Sequence, residues 1–167
     1  YNCKNCLVAT GGEPKCVGGF NFDHKFILSS DDVLELRELP KKVVIVGSGA
    51  IGVEWARIFS SFGVEVTVVE IAQTLLPLAD GEISKRLERT FKMSRIKFHL
   101  NTSVKEISDK KVILSTGENI EPDFVLFATG RKSNVLIPAA PAIRFIGDAY
   151  GGIQLAHFAA HQGVEVV

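Results

Sequence analysis

The chain has 167 residues, 46% of them hydrophobic, with 19 Lys and Arg against 19 Asp and Glu. A domain of about 150 residues hides roughly 70% of the surface its unfolded chain exposes, so one or two small domains can form here without disulfide or metal staples. The balanced charge supplies no long-range field for nucleic acid or an anionic membrane, and no apolar run reaches the roughly 18 residues of a bilayer span, so a soluble protein with neither partner is expected.

Cys3, Cys6 and Cys16 crowd the start of the chain. An odd number without downstream partners argues against a disulfide framework, and Cys3-x-x-Cys6 lacks the second pair that a four-ligand zinc site needs. Structural thiols in a reducing, cytoplasmic compartment are expected. Residues 4–10 read as an apolar strand that runs into Thr10-Gly11-Gly12, and 13–30, glycine-rich with Pro14, as a loop or crossover. Asp31 or Asp32 then stands where a short helix carrying Val33, Leu34 and Leu36 needs a cap, and Pro40 blocks its continuation.

Val43-Val44-Ile45-Val46 is apolar at every position, the pattern of a strand covered on both faces. Residues 50–62 show a helical period through Ile51, Trp55, Ile58, Phe59 and Phe62, with Gly63 placed for a left-handed C-terminal cap. Residues 65–70 form the next strand, so the helix is a right-handed crossover between parallel neighbours. After a loop around Pro77, 82–93 reads as a second amphipathic helix carrying Ile83, Leu87 and Phe91.

Residues 96–98, 103–107, 111–115 and 124–127 are short strands, and Asp109-Lys110 and Thr116-Gly117-Glu118 between them are turn signals, so a β-meander is expected. The last strand enters Ala128-Thr129-Gly130-Arg131, repeating the Ala9-Thr10-Gly11 exit of the first. Residues 135–141 are apolar without periodicity. Phe145-Ile146-Gly147-Asp148 is a strand ending in an acid, and 153–162 a helix. His157 and His161 fall four apart on that helix, yet no third ligand accompanies them, so no metal is expected.

The run Gly47-Ser48-Gly49-Ala50-Ile51-Gly52 leaves a strand and opens a helix, the context in which such glycines have separate steric reasons. Gly47 permits the tight turn, Gly49 lets a pyrophosphate touch backbone, and Gly52 lets helix and strand pack closely. The helix beginning near Ala50 aims free N–H groups and its positive dipole end at the anion, which needs no lysine. Glu70, about 20 residues beyond the turn, is placed to accept from ribose hydroxyls. No Arg or Lys lies within 71–79 to take a 2′-phosphate, which favours NAD over NADP. S-adenosylmethionine enzymes also pair a glycine loop with a following acid, so a methyltransferase remains an alternative. The fold class expected is α/β: a Rossmann-like βαβ core with a parallel sheet, plus a β-meander.

Gly47 to Glu54, Glu70, Ala128-Thr129-Gly130-Arg131 and Ile146-Gly147-Asp148, in this order, resemble the flavin-dependent pyridine nucleotide–disulfide oxidoreductases. Leu76-Pro77 and Ile153-Gln154-Leu155-Ala156-His157 are most similar to the dihydrolipoyl dehydrogenase branch. The resemblance implies NAD held by Gly47, Ser48, Gly49, Ala50, Ile51, Gly52, Glu54, Glu70, Val104, Thr129 and Gly130. Within that set Glu54 would lie where nicotinamide meets flavin, and Val104 would touch adenine. It implies FAD along Thr10, Gly11, Gly12, Gly147, Asp148, Leu155 and Ala156, with Asp148 on the ribityl chain. From the residues themselves, Glu54 reads equally as a carboxylate complementing the helix dipole, Val104 as strand core, and Thr129-Gly130 as a turn.

The same resemblance divides the chain into a FAD-domain edge and linker (1–40), an NAD-binding domain (41–134), and a shortened join with a second FAD-domain segment (135–167). The family's N-terminal flavin glycine loop, its redox-active cysteine pair, and its C-terminal dimerisation domain with catalytic His and Glu have no counterpart here. Cys3 and Cys6 have the wrong spacing and place for that pair. A fragment, or an internally shortened chain, catalytically incomplete by itself, is therefore expected. Its parent would be a homodimer that moves reducing equivalents from dihydrolipoamide, presented by an acyltransferase complex, through FAD to NAD. The competing expectation is a noncatalytic NAD(H)-binding module.

Overall fold

The computed structural model describes residues 3–135 and 140–166. In chain order its elements are strands β1 (Cys6–Val8), β2 (Gly12–Pro14) and β3 (Ile27–Leu28), helix α1 (Ser30–Leu34), strand β4 (Lys42–Val46), helix α2 (Ala50–Ser61) and strand β5 (Glu65–Val69). There follow helix α3 (Gly81–Met93), strands β6 (Lys97–His99), β7 (Val104–Ser108), β8 (Lys111–Leu114), β9 (Asn119–Ile120), β10 (Phe124–Phe127), β11 (Arg131–Ser133) and β12 (Ile143–Phe145), a 3-10 turn at Gly147–Ala149, and helix α4 (Ala156–Glu165). The stretch expected to be apolar and irregular at 135–141 lies largely outside the described residues.

The contacts divide the chain into two units, Lys15–Gly130 and the segments up to Pro14 and from Arg131 onward. Residues 15–40 group with the larger unit because β3 pairs with β10, and Val17, Phe20 and Phe22 pack on its core.

The larger unit is built on a five-stranded parallel sheet of order β3-β10-β4-β5-β6. Its uninterrupted apolar strands follow from cover on both faces. Val43, Ile45, Val66, Val68, Phe124 and Leu126 point to one side, where they meet Val33 of α1, Ala56 and Phe59 of α2, and Phe91 of α3. Val44, Val46, Val69, Val125 and Phe127 point to the other, against Val112, Leu114 and Ile120 of a small antiparallel sheet β7-β8-β9. Ile45 has no exposed surface, and burying such a side chain stabilises by roughly 1.5–3 kcal/mol.

Two expectations need correction here. Residues 96–98 and 124–127, expected in the meander, instead contribute to β6 and β10 of the parallel sheet, and the meander is β7-β8-β9 alone. All four residues of β10 are buried, and a strand covered on both faces has its place between parallel neighbours, not in a one-faced meander. The cap of α1 is Ser29, not Asp31 or Asp32: its hydroxyl accepts the Asp32 N–H at 3.2 Å, and Asp32 accepts the Ser29 N–H at 2.8 Å in return.

In the smaller unit β1 pairs in parallel with β12, and β2 pairs antiparallel with β11. Helix α4 begins at Ala156, three residues later than the expected 153, after Leu155 in extended conformation.

Candidate nucleotide site

In the larger unit the chain leaves β4 at Gly47, whose N–H donates to Val69 O at 2.8 Å, turns through φ +97°, and starts α2 after Gly49. Only glycine suits Gly47, since the φ is left-handed and a Cβ would lie 2.6 Å from Ala128 O. At Gly49 a Cβ would meet nothing among the described residues within 4 Å, so the backbone there faces open space. Among the described residues no side chain caps this end of α2, and its first turn holds no acid, so none of their carboxylates covers the N–H groups that a helix start leaves unpaired.

Glu70 follows β5 directly and is 7% exposed. Its Oε2 accepts the Ser48 N–H at 2.6 Å and the Ser48 hydroxyl at 2.8 Å, and its Oε1 accepts the Ala72 N–H at 2.8 Å. Ser48 itself is fully buried, and its carbonyl accepts the Leu76 N–H at 3.0 Å. Glycine turn, acid and the loop after β5 are thereby held as one piece.

A cavity of about 480 Å³ opens at the C-terminal ends of β4, β5 and β10, within the range of small-molecule sites. Gly47, Gly49, Glu70, Val104 and Thr129 border it, which brings together five residues singled out in the sequence. Its apolar wall includes Val17, Phe20 and Phe127, and the Phe20 and Phe127 rings lie 5.6 Å apart. Sequence reasoning missed Val17 and Phe20; the signal was apolar residues at short intervals within a stretch read only as loop. Cys16, beside Val17, is partly buried, and burial pushes its thiol up, which favours the neutral form over a nucleophilic thiolate.

Other singled-out residues fall elsewhere. Ala50 is exposed at the start of α2, while Ile51 packs on the core and Gly52 is buried against the turn. Glu54 is exposed and borders a depression between α2 and α3 with Arg57, Leu87 and Phe91, not the cavity above. Gly130, at φ +98°, accepts the Lys15 N–H at 2.9 Å, and the Thr129 hydroxyl donates to Lys15 O at 2.5 Å.

In the smaller unit the Thr10 hydroxyl donates to Asn134 O, and Gly11 O accepts the Asn134 N–H at 2.9 Å. Gly12 O accepts from Arg131 at 2.6 Å, and Asp148 lies 3.7 Å from the same guanidinium. A Cβ on Gly12 would lie 2.8 Å from Lys132 O, so close strand approach demands glycine there. The Gly147 N–H, at φ +61°, donates to Gln162 Oε1 at 2.8 Å. Leu155 precedes α4 and Ala156 opens it, both exposed. Gly12, Asp148 and Arg131 are therefore neighbours, as are Gly147 and Gln162.

The sequence profile of the pyridine nucleotide-disulphide oxidoreductases matches residues 1–140. A dihydrolipoyl dehydrogenase of Bacillus subtilis is 34% identical over 197 aligned residues, covering 98% of this chain and 41% of that protein. Since 197 exceeds the chain's 167 residues, the relative carries residues within the matched span that this chain lacks. A dihydrolipoyl dehydrogenase of Chlamydia muridarum is 37% identical, covering 96% of this chain and 41% of its own length. The crystal structure of LpdA from Mycobacterium tuberculosis superposes with a TM-score of 0.82 at 26% identity, over 95% of this chain and 40% of that one. The chain thus spans about two fifths of the length of the curated relatives it matches. With the profile matched over most of its length, and the glycine turn and strand-end acid where the motif's steric logic requires them, this chain belongs to the pyridine nucleotide-disulphide oxidoreductase family.

Proposed function

We propose that Lys15–Gly130 binds NAD(H) in the cavity at the C-terminal ends of β4, β5 and β10. The observation that carries this reading is the pairing of an uncapped helix start behind Gly49 with the buried carboxylate of Glu70 at the same cavity. The open space at Gly49 admits a diphosphate to main-chain N–H groups, and Glu70 accepts from the adenosine ribose. A 2′-phosphate in that position would meet like charge, so NAD(H) is favoured over NADP(H). Val104 would flank the adenine, and Thr129 and Gly130 the opposite end.

The parent activity in this reading is that of a dihydrolipoyl dehydrogenase, oxidising dihydrolipoamide with NAD, with a lipoamide-bearing acyltransferase complex as partner and a homodimeric parent. FAD, when bound, would relay reducing equivalents between disulfide and nicotinamide. Thr10, Gly11, Gly12, Gly147, Asp148, Leu155 and Ala156 are the residues proposed to line it. The close packing of Gly12 on Asp148 fits a backbone cradle, and the Arg131 guanidinium beside Asp148 holds its carboxylate in place.

Calorimetric titration of the chain with NADH, NADPH and S-adenosylmethionine tests the reading. One site for NADH, with NADPH weaker by about tenfold or more, is expected from carboxylate–phosphate repulsion. Heat from S-adenosylmethionine alone would replace the dinucleotide with a methyl donor.

A further inference from the structure

We infer that the outer side of the helical layer in Lys15–Gly130 is a self-association surface, on which a second copy of this chain docks by a two-fold rotation. The inference is independent of the nucleotide reading. Helices α1, α2 and α3 cover one face of the parallel sheet, reaching it through Val33, through Ala56 with Phe59, and through Phe91. The sheet order sets them side by side: α1 contacts β3 and β10, α2 contacts β4 and β5, and the Phe91 ring of α3 stands 6.3 Å from that of Phe98 in β6. Their outward side holds two hollows. Leu36, Leu39, Ile58 and Phe62 border the one between α2 and the segment after α1, and each is between 39% and 65% exposed. Val53, Ile58, Leu87 and Phe91 border the one between α2 and α3. Ile58 belongs to both, so the hollows form one apolar surface that no other described residue covers.

Charge names the occupant. Residues 31–39, at the first hollow, carry four acids and one Arg, whereas residues 85–95, at the second, carry five Lys and Arg and one Glu. Glu35 and Glu38 are exposed in the first stretch and Arg86 and Arg89 in the second, and none of the four has an ion-pair partner among the described residues. Arg37 at the first hollow and Glu54 at the second run against the trend without reversing it. A half-turn about an axis near Ile58 lays the acidic half of each copy on the basic half of the other. Both contacts then form at once, as a self-complementary interface requires. Size sets the strength. Helix α2 has 12 residues. That is about 18 Å of helix, and three helices about 9 Å apart span roughly 27 Å, a footprint of about 500 Å² per copy. Twice this lies below the roughly 1,200 Å² of a standard interface, so a weak dimer is expected, with Kd on the order of 100 µM.

Sedimentation of the chain between about 10 µM and 1 mM, with reductant present to keep the free cysteines reduced, tests the inference. A reversible dimer is expected. Two charge reversals are then compared, Glu35→Lys with Glu38→Lys in one chain and Arg86→Glu with Arg89→Glu in another. Each variant alone sets like charges face to face and weakens its dimer about tenfold or more. Mixed in equal amounts, the two variants form a heterodimer at least as tight as the unaltered dimer, because every half again meets its opposite. A chain that stays monomeric to about 1 mM overturns the inference and leaves the face to a partner of another kind. A dimer indifferent to the reversals, variants that fail to recombine, or growth into larger assemblies overturns it equally, since a two-fold contact closes at two copies. Should either variant fail to fold, salt decides with the unaltered chain. Its dimer weakens severalfold between about 0.05 and 0.5 M NaCl if the opposed charges meet, and an unchanged or tighter dimer overturns the inference.

Discussion

A Cβ on Gly52 would lie 2.0 Å from the carbonyl oxygen of Gly47, so the first turn of α2 rests directly on the main chain of the glycine turn. Neither partner is a flexible side chain that could swing aside. Gly52→Ala must push the helix off the strand, with an expected loss of about 3 kcal/mol, at the upper end for overpacking. A fall in Tm of roughly 6–12 °C for a chain of this size, followed by circular dichroism, checks it.

Gly49 behaves oppositely, because a Cβ there meets nothing among the described residues within 4 Å and its φ of −66° suits any residue. Gly49→Ala leaves stability within about 1 kcal/mol, the range for exchanging these residues at a helix start. It places a methyl where the diphosphate approaches, and NADH affinity falls about tenfold or more. Melting and titration of the same sample separate the two effects.

Glu70→Gln exchanges one carboxylate oxygen for an NH₂ group, which must then face either the two Ser48 donors or the Ala72 N–H. A destabilisation of about 1–3 kcal/mol is expected from the opposed donors. The charge that repels a 2′-phosphate is also gone, so the ratio of NADH to NADPH affinity shrinks. An unchanged ratio would remove Glu70 from the selectivity argument.

Asp123 accepts the Lys41 and Lys42 N–H groups at 2.6 and 2.9 Å where β4 begins. These bonds, Lys42 first, hold its carboxyl below the ordinary value of 3.8. A depressed folded-state value contributes stability that is present above about pH 4 and is lost as pH falls through the folded value. Asp123→Ala therefore flattens the decline in Tm between about pH 4 and pH 2, and acid titration of the two proteins shows it. The group is exposed, so the difference at neutral pH is small.

Much of this was legible in the residues. The apolar run 43–46, the glycines after it and the helical period of 50–62 each carry a local signal, and β4, the turn and α2 lie where those signals put them. Glu70 was found by its spacing from the turn. Strand partners were not legible, because β10 lies beside β4 across nearly 80 residues of chain and nothing in Phe124-Val125-Leu126-Phe127 names its neighbour. Within one helix, Glu54 stands exposed at the border of the depression between α2 and α3, a placement that the helical period of 50–62 does not give by itself. Nothing in the turn sequence singles out Ser48 from its neighbours, since its bond to Glu70 depends on how two strand ends meet.

A crystal structure of the chain with NADH bound tests the central claim most directly. The account predicts the diphosphate within hydrogen-bonding distance of the N–H groups at the start of α2, beside Gly49, with an adenosine ribose hydroxyl on Glu70 Oε1. Coenzyme seated in the depression between α2 and α3, or a ribose turned away from Glu70, would contradict it.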